Sequence, residues 1–229
     1  MAQSQSSHWA ELFDQAQKII SQANSKFTVV DRWSFGGGTA LMLQIDHRES
    51  FDVDIFIDDP QVLPYLNPQT QGFVLDISPD AYTSDGTHAL KIVFKDIGEI
   101  DFIVATHLTS DPTKEREIRG QKVCLETPAE IVAKKIFYRG ASMQPRDMFD
   151  IACVCESEGD DYLVEALVPF KDACARALKT ARKMDARLAK AVMSKLLYLP
   201  KYSSIPSLAQ QITIEVLESV CGAEASTSI

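Results

Sequence analysis

The stretch GGGTALMLQIDHRESFDVDIFI, residues 36–57, carries the deciding pattern: a glycine turn, a short apolar segment, then a strand alternating acid with aliphatic. The glycines let backbone N–H groups approach an anion closely, and a helix formed by TALMLQI (39–45) adds the favourable dipole of its N-terminus. Gly37, Gly38 and Thr39 are therefore candidates for cradling phosphate. In DVDIFI (52–57) successive side chains point to opposite faces, so Asp52 and Asp54 share one face and Val53 and Ile55 the other. Two carboxylates on one face, with no base between them, repel each other unless a cation lies between them. A third acid, Asp101, stands between apolar residues in EIDFIV (99–104), on a strand expected to neighbour 52–57. Three hard oxygen donors suit Mg²⁺ (or Mn²⁺), which commonly shares its coordination sphere with substrate phosphates.

Outward from this core, residues 8–25 predict an amphipathic helix, FTVVDRWSF (27–35) a strand, and Asp59-Pro60 the start of a short helix. HALKIVF (88–94) and EIDFIV, joined across 95–98, predict a hairpin. In TPAE, Thr127 as N-cap, Pro128 at the first helical position and Glu130 three residues on form a capping box. Helices follow over 128–139, 145–156, 160–168, 171–198 and 206–220, with no strand signal among them. The expectation is an α/β (α+β) amino-terminal domain over 1–125 and a helical carboxy-terminal domain over 126–229, with GAEASTSI (222–229) frayed.

With 229 residues, 45% of them hydrophobic and 24% charged, the chain can build a sizeable core and is neither disordered nor fibrous. No apolar run approaches the roughly 20 residues that span a bilayer. The start, MAQSQSSHWAELFDQ, lacks the basic and apolar regions of a signal peptide, so a cytoplasmic protein without membrane partners is expected. Cys124, Cys153, Cys155, Cys174 and Cys221 are odd in number and lack CxxC spacing, so they are read as reduced and mostly buried. The net charge of −9 argues against a protein that coats nucleic acid over its whole surface. Yet residues 171–201 hold nine Lys/Arg against two acids, leaving 14 bases and 30 acids elsewhere. On one continuous helix Arg176, Lys179, Lys183, Arg187 and Lys190 fall in a narrow sector opposite Leu178, Ala181, Met184, Leu188 and Val192. That basic face is either a solvated surface or the contact for an anionic partner.

The order Gly38-Thr39, twelve residues, Asp52-Val53-Asp54, then an apolar-flanked Asp101 resembles the signature of the DNA polymerase β nucleotidyltransferase superfamily. More narrowly, GGTALMLQIDHRESFDVDIF, TPAEIVAKKIFYRG and PRDMFDIA, in that order over residues 37–152, resemble the AbiEii/AbiGii toxin family of bacterial nucleotidyltransferases. Two departures are visible: Asp46 stands where glycine is common before His-Arg, and an extra glycine precedes GGT.

The resemblance implies a nucleotidyltransferase fold, a mixed sheet with flanking helices followed by a helical half that closes over the nucleotide. It further implies transfer of a nucleoside monophosphate from NTP to an acceptor hydroxyl, with pyrophosphate released. Lys135 and Arg139 match the family's phosphate-contacting Lys-x3-Lys/Arg motif, and residues four apart do share a helix face. Asp147 and Asp150 match its last acidic motif; they either orient Lys135 or Arg139 or bind base or ribose, and Asp147 alternatively serves the helix start. Arg48 is a further phosphate candidate, whereas His47 reads as a packing residue. In the mechanism expected, Asp52, Asp54 and Asp101 hold the metal, Asp101 takes the acceptor's proton, and Lys135 and Arg139 stabilise the leaving pyrophosphate. Relatives act as toxins of toxin-antitoxin or abortive-infection systems, some on tRNA 3′ ends, so an RNA acceptor along the basic face and a cognate antitoxin are the expected partners. The alternatives are a protein or small-molecule acceptor, or a non-catalytic nucleotide-binding antitoxin or regulator.

Overall fold

The computed structural model describes residues 7–223; the amino-terminal six residues and most of the segment expected to fray lie outside them. Internal contacts divide the chain into two units. The first holds the chain up to Ala40, Ser50–His107 and Thr113–Glu126; the second holds Leu41–Glu49, Leu108–Pro112 and the chain from Thr127 on.

The first unit is built on a mixed seven-stranded sheet: β1 (Ser34–Gly36), β2 (Val53–Ile57), β3 (Ala81–Ser84), β4 (Ala89–Phe94), β5 (Gly98–Val104), β6 (Thr113–Ile118) and β7 (Gln121–Glu126), in the order β3-β4-β5-β2-β1-β7-β6. β1/β7 and β2/β5 run parallel and the other pairs antiparallel. β2 obeys the expected alternation, with Val53, Ile55 and Ile57 buried. Helix α1 (Trp9–Ala23) buries Leu12, Phe13, Ala16, Ile19 and Ile20, and the Phe13 ring lies 5.0 Å from that of Phe35 on β1. Asp59 caps a 3₁₀ helix, Pro60–Leu66, by accepting the Gln61 N–H, and a four-residue helix, α3 (Pro68–Gln71), follows.

Three sequence expectations change here. Of FTVVDRWSF only Ser34 and Phe35 enter a strand. Conversely, β3 and β6 carry no apolar alternation: β6 is TKEREI, exposed over most of its length, and as a charged edge strand it meets no core that would impose a pattern. Thr127 caps its helix as expected, but Glu130 does not close the box. Its carboxylate instead accepts the N–H groups of Leu108 and Thr109, while the Thr127 N–H goes to Pro112.

The second unit is helical: α2 (Gly37–Ile45) from Leu41 on, α4 (Pro128–Arg139), α5 (Pro145–Glu158), α6 (Asp160–Leu167), α7 (Lys171–Lys183), α8 (Ala186–Met193) and α9 (Ile205–Gly222). Met148, Phe149, Ile151, Leu163, Leu167, Cys174 and Leu217 fill its core. The single helix expected over 171–198 is two. Met184 turns to an extended ψ of 133°, and the Asp185 carboxylate then caps α8 by accepting the N–H groups of Arg187 and Leu188, both at 2.9 Å. The expected apolar side breaks with it: Leu178 and Ala181 are buried, but Leu188 and Val192 are exposed, their place taken by Ala189 and Met193. Of the five cysteines, all free, Cys153, Cys155 and Cys174 are buried. Among the described residues no helix is long and apolar enough to cross a membrane.

Candidate active site

In the first unit, strand register assembles the acids. β2 and β5 pair with Asp54 opposite Asp101, β1 and β2 with Gly36 opposite Asp54, and β4 and β5 with Lys91 opposite Asp101. The glycine turn must be glycine at position 37: φ is +68°, and a Cβ there would fall 1.8 Å from Asp54 Oδ2. The backbone that opens α2 and the Asp54 carboxylate are thus immediate neighbours. Thr39, fully buried, donates its hydroxyl to the Asp52 carbonyl, so its side chain fixes the acid strand rather than facing an anion. Asp52 Oδ1 accepts the Glu99 N–H at 3.1 Å. Lys91 donates to Asp101 at 2.8 Å and also to Glu99. Burial raises the Asp101 carboxyl above its ordinary value, against the pull of Lys91.

Among the described residues no three His, Cys, Asp or Glu side chains form a ready metal cage. Mg²⁺ does not require one, since it is usually held by one or two carboxylates with substrate phosphates completing the sphere. The donor set fits such an ion: hard oxygens on adjacent strands, one of them already holding a positive charge, the Lys91 ammonium.

A separate cluster occupies the second unit. Asp150, completely buried, receives Arg48 Nε at 2.7 Å, an Arg48 terminal nitrogen at 3.0 Å and Lys135 Nζ at 2.7 Å, and lies 2.9 Å from His47 Nε2. Burial alone would raise its pKa, but Arg48 and Lys135 outweigh this and hold the carboxyl well below the usual range. Burial lowers the pKa of His47, whose Nδ1 has no hydrogen-bond partner and whose ring stacks 6.2 Å from that of Phe149. Asp147 pairs with Lys135 at 2.9 Å and with Arg139, and also accepts the Gln144 N–H at the start of α5. Of the three sequence readings for Asp147, one side chain thus combines the pairing with Lys135 and Arg139 and the contact at the helix start. Lys135 and Arg48 are 10% exposed and Arg139 44%, so Arg139 is the motif cation that reaches solvent. Asp46 takes φ +51° as it ends α2, which explains why glycine suits that position.

The helix break divides the basic face. Arg176, Lys179 and Lys183 on α7, with Thr180, Met184 and Ala141, line an open cavity of about 530 Å³. Arg187 and Lys190 belong to α8. Lys91 and Glu99 escaped the sequence reading although a signal existed: in a hairpin that turns across 95–97, residues 91 and 101 face each other.

Residues 18–209 match the family model of the nucleotidyl transferase AbiEii toxin, type IV toxin-antitoxin system. No curated protein sequence matches the chain. Among solved structures, MenT4, a nucleotidyltransferase toxin from Mycobacterium tuberculosis, is similar with a TM-score of 0.56 at 13% identity, over 95% of this chain and 84% of that one. That similarity is one of fold. The CD-NTase CdnG of Bradyrhizobium diazoefficiens, in complex with GTP, matches more distantly, with a TM-score of 0.36 at 13% identity over 92% and 83% of the two chains.

Proposed function

The chain belongs to the AbiEii nucleotidyltransferase toxin family, and from that premise we propose that it moves a nucleoside monophosphate from an NTP to an RNA hydroxyl, the 3′ end of a tRNA, with Mg²⁺. One observation carries the reading: the register that sets Asp54 beside Asp101 also sets the Asp54 carboxylate against the backbone of Gly37, so carboxylates and a phosphate-accepting turn meet at one strand end.

In this proposal Asp52 and Asp54 hold the divalent cation, and Asp101 completes its ligands and accepts the acceptor hydroxyl's proton, a task its raised pKa favours. When bound, the cation neutralises triphosphate charge and lowers the pKa of the attacking hydroxyl. The backbone of Gly37 and Gly38 binds phosphate oxygens at the start of α2, and Thr39 keeps Asp52 in place. Arg139 is the phosphate-contacting cation. Lys135 and Arg48, both paired with Asp150, shape the cluster that holds it. Arg176, Lys179 and Lys183 form the acceptor's backbone contact. A cognate antitoxin is the partner that controls the activity in the cell.

Incubation with each of four labelled NTPs, Mg²⁺ and total bacterial RNA tests the whole reading. Label is expected in the tRNA fraction, with pyrophosphate released. Label in protein or in a small molecule would replace the acceptor, and no pyrophosphate with any NTP would leave a nucleotide-binding regulator.

A further inference from the structure

Lys91 belongs to none of the motifs, yet it stands opposite Asp101, which is itself in register with Asp54. Its ammonium bonds two carboxylates, Asp101 at 2.8 Å and Glu99. A divalent cation and an ammonium compete for the same carboxylate lone pairs, and the attraction of either falls when the other is present. We propose that Lys91 is the built-in counter-ion of the acid face: it neutralises Asp101 in the metal-free protein and yields that carboxylate when the cation loads, thereby setting the site's metal affinity. This rests on the assignment of Asp52, Asp54 and Asp101 as metal-binding residues.

Two features make the exchange feasible. The Lys91 side chain is 36% exposed and sits on a flexible four-carbon stem, so the ammonium can leave Asp101 without breaking the core. Glu99, two residues from Asp101 and on the same strand face, keeps the departing ammonium paired, so no buried charge is stranded. Lys91 is accordingly a positioning residue, acting on the reaction through Asp101.

The probe is Mn²⁺ alone, titrated into the full chain and followed by the paramagnetic resonance signal of the free ion. Lys91→Met is expected to bind Mn²⁺ about five- to tenfold more tightly than the unaltered protein. Lys91→Arg, which keeps the charge, should stay within about twofold of it. Lys95→Gln, a charge removed from the exposed turn between β4 and β5, should leave affinity unchanged, and Asp101→Asn should abolish the effect of Lys91→Met. Lys91→Gln replaces Lys91→Met if a thermal melt shows that Met is not tolerated. Unaltered affinity in Lys91→Met, or in Lys91→Gln where that replaces it, overturns the inference while leaving the metal assignment standing, as does equal tightening by Lys95→Gln. Absence of Mn²⁺ binding to the unaltered protein removes the metal assignment and the inference together.

Discussion

Two aspartates with similar neighbours in sequence have opposite surroundings and so opposite expected phenotypes. Asp54 is half-buried at the end of a strand against the Gly37 backbone. Asp54→Ala should lower NTP transfer by about 100-fold or more, since one carboxylate of a metal site is worth several kcal/mol in charge stabilisation, while a thermal melt stays close to that of the unaltered protein. Retained transfer would remove Asp54 from the site. Asp150 is instead the hub of a buried ion network holding Arg48, Lys135 and His47. Asp150→Ala leaves Arg48 largely buried without its counter-charge and Lys135 with Asp147 alone, and should cost about 3–5 kcal/mol in urea unfolding, whether or not nucleotide is present. A loss below about 1 kcal/mol would mean that the network relaxes into solvent.

At the scale of elements, the break between α7 and α8 divides the basic residues of 171–201 between two helices. Arg176, Lys179 and Lys183 remain together around a cavity on α7, whereas Asp185 starts a new helix that carries Arg187 and Lys190 elsewhere. Changing Arg176, Lys179 and Lys183 to Gln should weaken RNA binding without altering NTP affinity, and should flatten the salt dependence by about 1 in log–log slope for each phosphate no longer neutralised. Arg187→Gln with Lys190→Gln should change that slope less. Binding measured at several salt concentrations separates the two sets, and parallel slopes for all variants would take the acceptor role from α7. Folding should survive, because Ala173, Cys174, Ala177 and Ala181, which bury α7, are untouched.

At the scale of the whole molecule, the buried charges set the response to acid. The folded-state pKa of His47 lies below 6.5, so the unfolded chain takes up the proton first and stability falls as pH drops through about 6.5. Asp147 and Asp150 have depressed folded-state values, so the stability they contribute is complete above the ordinary carboxylate value of 3.8 and is lost below it. Asp101, with its value raised, acts in the opposite direction and offsets part of this loss. Urea midpoints from pH 8 to 3 should therefore decline in two stages, the second being shallower in Asp150→Asn. A midpoint that rises between pH 7 and 5 would contradict the assignment of His47 as buried and neutral.

Periodicity and local chemistry were enough to determine much of this protein. Alternation gave β2 its buried Val53, Ile55 and Ile57, the glycine run and the TPAE segment marked helix starts, and the 88–104 segment declared its own hairpin, because each depends on neighbours within a few residues. The motifs, in their order, also resemble those of the nucleotidyltransferase family whose model matches residues 18–209. Only the tertiary structure decided the rest. It showed that Asp54 faces Asp101 across a parallel pair and that Arg48 reaches Asp150, since residues some fifty to a hundred positions apart are joined by register and packing. It also showed that the basic helix breaks at Asp185. A charge pattern at 100° per residue cannot register a capping carboxylate that competes for backbone N–H groups, nor which of Leu188 and Ala189 the core will take.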